Sequence, residues 1–425
     1  MNTIKNNQKY LFIVLVVFSI VLGVFLRFYL FNKDVKDYPI GLDGEYQFYH
    51  LTNYVVNKEF PIEGVFLNSP DYYYDDNNAR IPGGYFYISY LIKYFLGGAS
   101  YRGAIFVNLV VSIIAGFCFI YWVFKRFSFS TASIISALIF MNIYYINVSM
   151  SIYNPNNPLL LSFLFIPLLY EYLYNDKSSI YAIFLFPVLA LMAQCHFSNF
   201  FSLIPTLIIF LIIKYNKYTK KSLVQLAIGV FISFLLYVPY LIYQINNNFV
   251  GLKKILSRKG EIDVINIIQP PQIYSIMLFP TNERGGKYVN GIKDILRLYF
   301  NENYFNIYSF LFYIASILLS LFVLIYVYKQ FFRKKMITND DKKTSVFYDL
   351  LFFYLLYIIT SVVFFMLANI GSGRPHYFYS SFTLAFIPFI YFLEYLNMKN
   401  MNRVLLLISV YSFFNIFSIF LFKLH

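Results

Sequence analysis

Leu42-Asp43-Gly44-Glu45-Tyr46 puts two carboxylates just after the first apolar stretch of a chain with only 20 acidic residues in 425. A carboxylate at a membrane edge suits one kind of chemistry. It takes the proton of an acceptor hydroxyl while that oxygen attacks an activated carbon, provided it lies within ~3 Å. If the leaving group is a lipid phosphate, the reaction also needs positive charge and hydrogen-bond donors. Arginine offers a planar fork matched to phosphate oxygens. Arg80, Arg102 and Arg374 stand near predicted helix ends. The plainer reading of Asp43 is an acid in the first turn of a surface helix, complementing its dipole.

Other polar groups fall at the same predicted edge: His50, Asn154, Asn157, Gln194, His196 and His376. Polar groups near hydrocarbon are costly and tend to be functional. His196 stands with Gln194 between two closely spaced spans, although a histidine at a helix end can also be simply solvated. Asn154-Pro155-Asn156-Asn157-Pro158 reads first as a helix start, because Asn caps well and Pro suits the first helical position. Asn154 or Asn157 remains available to bond a sugar. The run Asp71, Tyr72, Tyr73, Tyr74, Asp75, Asp76 reads as a solvated loop, with cation binding or sugar stacking as its alternatives. The basic run from Lys253 to Lys259 reads as a solvated helix face, with attraction of lipid phosphate as its alternative. Cys118 and Cys195 are the only cysteines, so neither a disulfide framework nor a metal signature arises. There is no zinc-protease helix, no Walker loop and no dinucleotide fingerprint.

The elements that must position these groups follow from composition. Hydrophobic residues make up 59% of the chain and charged residues 13%, against about 25% charged in a soluble domain. That balance predicts an all-α, polytopic membrane protein. The net charge of +14 does not require nucleic acid. Of the 34 basic residues, 17 lie in short segments that share one side of the predicted bundle, including Lys125, Arg126, Lys214, Lys334 and Lys342. This bias makes that side, and the N-terminus, cytoplasmic.

About eleven spans are expected, because a crossing needs roughly 20 apolar residues. They run about 10–31, 102–124, 129–149, 158–174, 179–195, 198–213, 222–243, 304–328, 346–369, 378–396 and 403–422. The first is too long for a signal-peptide core and reads as a retained helix. Two long outer loops, about 32–100 and 244–303, interrupt a single membrane domain covering 1–425. The first loop is expected to carry a surface helix over Asp43–Asn57 and an interfacial helix over Tyr85–Leu96, the latter too short to cross. No internal repeat of the transporter kind is seen.

With these motifs in place, the chain resembles the GT-C glycosyltransferases of the protein O-mannosyltransferase and aminoarabinose-transferase type, a glycosyltransferase 39-like group. It is closest to a bacterial branch of them. Five pieces match in order. Leu42-Asp43-Gly44-Glu45-Tyr46 falls at that family's acidic motif in the first outer loop. Arg80-Ile81-Pro82-Gly83-Gly84-Tyr85-Phe86-Tyr87 resembles its basic-Pro-Pro/Gly-aromatic motif. Tyr153-Asn154-Pro155-Asn156 resembles an aromatic-Asn-Pro-Asn turn. Gln194-Cys195-His196 resembles a Gln-x-His motif, and Arg374-Pro375-His376-Tyr377 a late basic-Tyr motif. The resemblance is good over about 10–240 and looser beyond. It departs in that Gly44 separates the two acids, and in lacking the large C-terminal domain of some members.

The resemblance implies a transferase in the cytoplasmic membrane with an extracytoplasmic active site. The donor would be a polyprenyl-phosphate sugar and the acceptor an envelope glycan or lipid. Asp43 is the expected base. Glu45, His50, Arg80, Tyr85, Asn154, Gln194, His196, Arg374 and His376 are expected to bind substrate. No cofactor is expected, and a divalent cation stays open because some GT-C enzymes use one. The alternatives are a polymerase of lipid-linked polysaccharide units and a glycolipid transporter without chemistry. The clustering of polar groups at one edge argues against the transporter.

Overall fold

The computed structural model describes residues 2–39, 42–66, 79–175, 180–214, 219–256, 303–333, 341–368 and 383–423. Arg374, His376 and the 71–76 run lie outside them. A chain this apolar can satisfy its backbone in lipid only through helices or a closed barrel, and the described residues are overwhelmingly helical. In order the helices are α1 Asn2–Asp34, α2 Leu42–Asn57, α3 Tyr85–Leu96, α4 Tyr101–Arg126, α5 Phe129–Met141, α6 Ile143–Ser149, α7 Asn156–Tyr174 and α8 Tyr181–Cys195. There follow α9 Ser198–Phe201, α10 Leu203–Ile213, α11 Lys220–Asn246, α12 Val250–Leu256, α13 Asn303–Phe332, α14 Asp341–Ala368, α15 Phe386–Met398 and α16 Asn402–Lys423. The all-α polytopic class expected from composition is the one found. Five described helices are long and apolar enough to cross a membrane, within α1, α4, α7, α11 and α14. Shorter apolar helices, among them α5, α8 and α15, occupy other segments expected to span.

Helix starts follow local chemistry. The side chains of Ser100, Ser128 and Thr219 accept from the backbone N–H groups of Gly103, Thr131 and Ser222, capping α4, α5 and α11. Helices are present at both segments expected to lie along the membrane, as α2 and α3. At 12 residues, α3 extends about 18 Å and packs along α4.

Two features depart from the sequence expectation. First, the segments 129–149 and 198–213 are each broken, at Asn142 (φ −82°, ψ 124°) and at Ser202 (φ −120°, ψ −82°). The break at Asn142 leaves carbonyls of α5 without helical donors. Arg27, buried in α1, supplies them. Its Nη1 donates to Phe140 O at 2.8 Å and to Gly23 O at 2.9 Å, and its Nη2 donates to Ile139 O at 3.2 Å. A cation at a helix C-terminus also complements the dipole. Second, the first long loop holds a small antiparallel hairpin, β1 Glu63–Phe66 with β2 Arg80–Pro82. Strands of four and three residues are too short to show alternation in a sequence.

At one end of the bundle, charged side chains are paired. Glu171 accepts from Arg126 Nε at 2.6 Å and from Trp122 Nε1 at 3.1 Å. Lys214 pairs with Asp349 at 2.7 Å. Ser128 and Thr131 hydroxyls each donate to Glu394 at 2.6 Å. Arg126 and Lys342 both face the Tyr174 ring. The ends of α4 and α7 thus meet the start of α14, as an up-and-down course requires.

Close approach of α1 and α5 depends on Gly23, where a Cβ would stand 2.4 Å from Phe140 O. Gly23→Ala is expected to lower the Tm of detergent-purified protein, at a cost of about 1–3 kcal/mol. Gly116→Ala, whose Cβ would meet Ile139 Cγ2 at an ordinary 3.5 Å, is expected to leave Tm nearly unchanged.

Candidate active site

The starts of α2, α4 and α7 and the ends of α1, α6, α8 and α11 meet around the hairpin and α3. Asp43 and Glu45 occupy the first turn of α2, where the helix dipole favours negative charge. Glu45 is exposed and Asp43 half-buried. The Tyr153 hydroxyl donates to Asp43 Oδ2 at 3.2 Å. Asp43, Gln47 and His50 fall at i, i+4 and i+7, on one helix face. Gln47 is buried, and its Nε2 donates to Asn154 Oδ1 at 3.0 Å. Asn154 Nδ2 in turn donates to Cys195 O at 3.3 Å. The turn between α6 and α7 thereby joins α2 to the end of α8.

His50 lies in an aromatic cluster. Its ring centroid is 4.4 Å from that of Tyr46 and 5.8 Å from that of Phe66. Tyr46 stacks on Phe66 at 5.0 Å, and the Arg80 guanidinium covers Phe66 at 4.4 Å. Arg80 thus reaches α2 through one ring. Burial works against its charge, but the Tyr46, Tyr54 and Tyr87 phenols and the Glu63 carboxylate outweigh it and hold the pKa above the usual guanidinium value. Burial also raises the Glu63 pKa, opposed by Arg80 and Lys254.

Gln194 serves the backbone. Its Oε1 accepts from Tyr85 N at 3.2 Å, and its Nε2 donates to Leu236 O at 3.1 Å. The amide therefore locks the start of α3 to α11. Tyr85 is half-buried, and burial pushes its phenol up to about 12. His196 is buried at the end of α8 with Nδ1 2.7 Å from Ser198 Oγ. Arg102 takes a structural position: Nη1 donates to Val35 O at 2.9 Å, tying α4 to the chain after α1.

The structure therefore gathers Asp43, His50, Arg80, Tyr85, Asn154, Gln194 and His196 around one turn, with Glu45 at the surface beside them. Two neighbours escaped the sequence reading. Gln47 could have been found at i+4 from Asp43. Lys93 could have been found eight residues after Tyr85, on the same face of α3. Lys93 is buried, with Nζ donating to Asn157 Oδ1 at 3.1 Å. Burial lowers its pKa to about 8, against a smaller opposing influence of Cys195. Among the described residues, no group of three or more His, Cys, Asp or Glu could hold a metal ion.

Residues 82–243 match the family model described as dolichyl-phosphate-mannose-protein mannosyltransferase. The matched stretch runs from the end of β2 through most of α11. It includes the Tyr153–Asn157 turn and the Gln194–His196 motif, and it begins after Asp43 and Arg80. No curated protein and no solved structure matches the chain. The family match supports a membrane glycosyltransferase of the GT-C type.

Gly83 fixes how β2 meets this site. Its φ is +90°, and a Cβ there would stand 2.4 Å from Gln194 Cδ. Gly83→Ala is expected to destabilise the fold by about 1–3 kcal/mol, read as a fall in Tm. Gly44→Ala, whose Cβ would meet Pro39 Cβ at 3.5 Å, is the control expected to show no such fall.

Proposed function

We propose that the protein transfers a sugar from a polyprenyl-phosphate donor to an envelope glycan or lipid acceptor, at the extracytoplasmic face of the cytoplasmic membrane. In this reading the acceptor oxygen attacks the anomeric carbon and gives its proton to Asp43. The bond from that carbon to the phosphate oxygen breaks, and the lipid phosphate leaves with the electron pair. Arg80 faces the phosphate charge, joined by Arg374 and His196. Glu45, His50, Tyr85, Asn154, Gln194 and His376 shape the surrounding donor and acceptor sites.

The observation that carries this reading is the hydrogen bond from Tyr153 to Asp43. It links the family-matched segment to Asp43, the more buried of the two carboxylates in the first turn of α2, beside an arginine-bearing hairpin. The persistent positive charge of Arg80 supports its role, since phosphate recognition needs a cation at working pH. The charged pairs at the other end of the bundle, Arg126–Glu171 and Lys214–Asp349, have their carboxylates engaged. Those acids also lie away from the Tyr153–Asn157 turn, which supports Asp43 over them as the base.

The test uses purified protein in lipid, a panel of radiolabelled polyprenyl-phosphate sugars and envelope extract. Asp43→Asn is expected to cut transfer roughly 100- to 10,000-fold, the usual worth of a general base, while keeping the wild-type Tm. Tyr153→Phe, which removes one hydrogen bond to the Asp43 carboxylate, is expected to lower kcat roughly 10- to 100-fold. Normal turnover by Asp43→Asn would remove Asp43 as base. Donor breakdown only with diphosphate-linked oligosaccharides would favour the polymerase.

A further inference from the structure

The Tyr153–Asn157 turn is held from two sides. Tyr153 and Asn154 hold it to α2 through Asp43 and Gln47. Asn157 holds it to α3 through Lys93. The second attachment is made at a cost. Lys93 is only 6% exposed, and among the described residues Asn157 is its hydrogen-bond partner and no carboxylate pairs with it. The side chain it bonds is in the first turn of α7, where the helix dipole disfavours a cation. The ionisable group facing it from α8 is the Cys195 thiol. Among the described residues α2, α4, α7 and β1 bring no charged group against it. A buried cation in such surroundings lowers stability, and charges kept at that cost concentrate at functional sites.

We propose that Lys93 is a positioning residue: its ammonium, donated to Asn157, fixes the turn that presents Tyr153 to Asp43 and Asn154 to Gln47. The inference rests on the transferase reading for its catalytic consequence and on the structure alone for the Lys93–Asn157 link. The charged form makes the stronger hydrogen bond. Positioning therefore weakens as Lys93 loses its proton.

Two measurements test it. In the transfer assay, Lys93→Met is expected to lower kcat roughly 10- to 100-fold, the worth of one charge-assisted hydrogen bond, with KM near wild type. Lys93→Gln, a neutral donor, is expected to recover to within roughly tenfold of wild type. The wild-type rate is expected to fall above about pH 8, and Lys93→Gln to lack that fall. Lys93→Met at wild-type kcat, or the same alkaline fall in Lys93→Gln, would overturn the proposal.

The second measurement needs no substrate. Because burial moves the folded-state pKa from 10.5 down to about 8, the folded protein gives up this proton first. Stability should rise as pH climbs through that window and be lost as pH falls back through about 8. Wild-type Tm in detergent is expected to gain more across that window than the Tm of Lys93→Met, the difference in slope reporting Lys93. The combined Lys93→Met and Asn157→Leu variant should be less affected than the sum of the singles. Equal slopes in wild type and Lys93→Met, or strict additivity, would overturn the link. A protein inactive with every lipid-linked sugar, yet showing slope and coupling, would remove the transferase reading while leaving the link standing.

Discussion

The site depends on the side-chain amide of Asn154. Both of its halves are used, one accepting from Gln47 and the other donating to a carbonyl at the end of α8. The chain between α6 and α7 has no regular structure to fix it, and it is mostly buried, Asn154 included. Water therefore cannot take over its polar groups, and each must be met by protein. Side-chain amides suit this task because each offers a donor and an acceptor in one plane. Gln194 does the same between α3 and α11, and Asn108 Nδ2 donates to the carbonyls of Val148, Ser149 and Ser151. The frame of the site is thus built from uncharged amides. Lys93 adds a charged tie to that frame, and Asp43, His50, Arg80 and His196 are among the ionisable groups held by it.

Lipid imposes the rest. Helices gain little from burying apolar surface against one another when the surrounding solvent is equally apolar, so close backbone approach and polar ties decide which faces meet. Gly23 allows α1 onto α5, and Gly229 brings α11 within reach of the Ile183 carbonyl. Thr206 and Thr360 hydroxyls join α10 to α14. At the site end, Gly83 and Gly84 leave room for Gln194 and the Pro61 carbonyl. The Pro-Gly-Gly run is therefore a packing requirement, whatever else it is matched to.

The sequence was most readable where polarity changes abruptly. α2 and α3 stand where Asp43–Asn57 and Tyr85–Leu96 were expected, because short amphipathic runs flanked by turn residues stand out from long spans. Breaks inside spans were not readable. Asn142 and Ser202 are single residues in windows whose average hydropathy stays high. The hairpin was missed because its strands are too short to alternate. Gln194 was recognised as important, but a one-dimensional pattern cannot say whether an amide serves substrate or backbone. Lys93 gave no signal within the expected interfacial helix, since its burial follows from α4, α7 and α8 packing around α3. Arg374 and His376 fall outside the described residues, so their roles stay with the motif that named them.

Arg27 bears on how the bundle is made. Its carbonyl partners Phe140 and Ile139 lie 113 and 112 residues later in the chain. When α1 first enters the bilayer, those partners have not been synthesised. An arginine within a span costs about 2.5–3.5 kcal/mol on insertion scales, and the very apolar remainder of α1 outweighs that. Until α5 arrives, the guanidinium must reach along its own helix toward the headgroups. Its capture by the broken end of α5 follows once that helix is in place. The place of α1 in the bundle is therefore settled by contacts made more than a hundred residues after it and not by its own insertion.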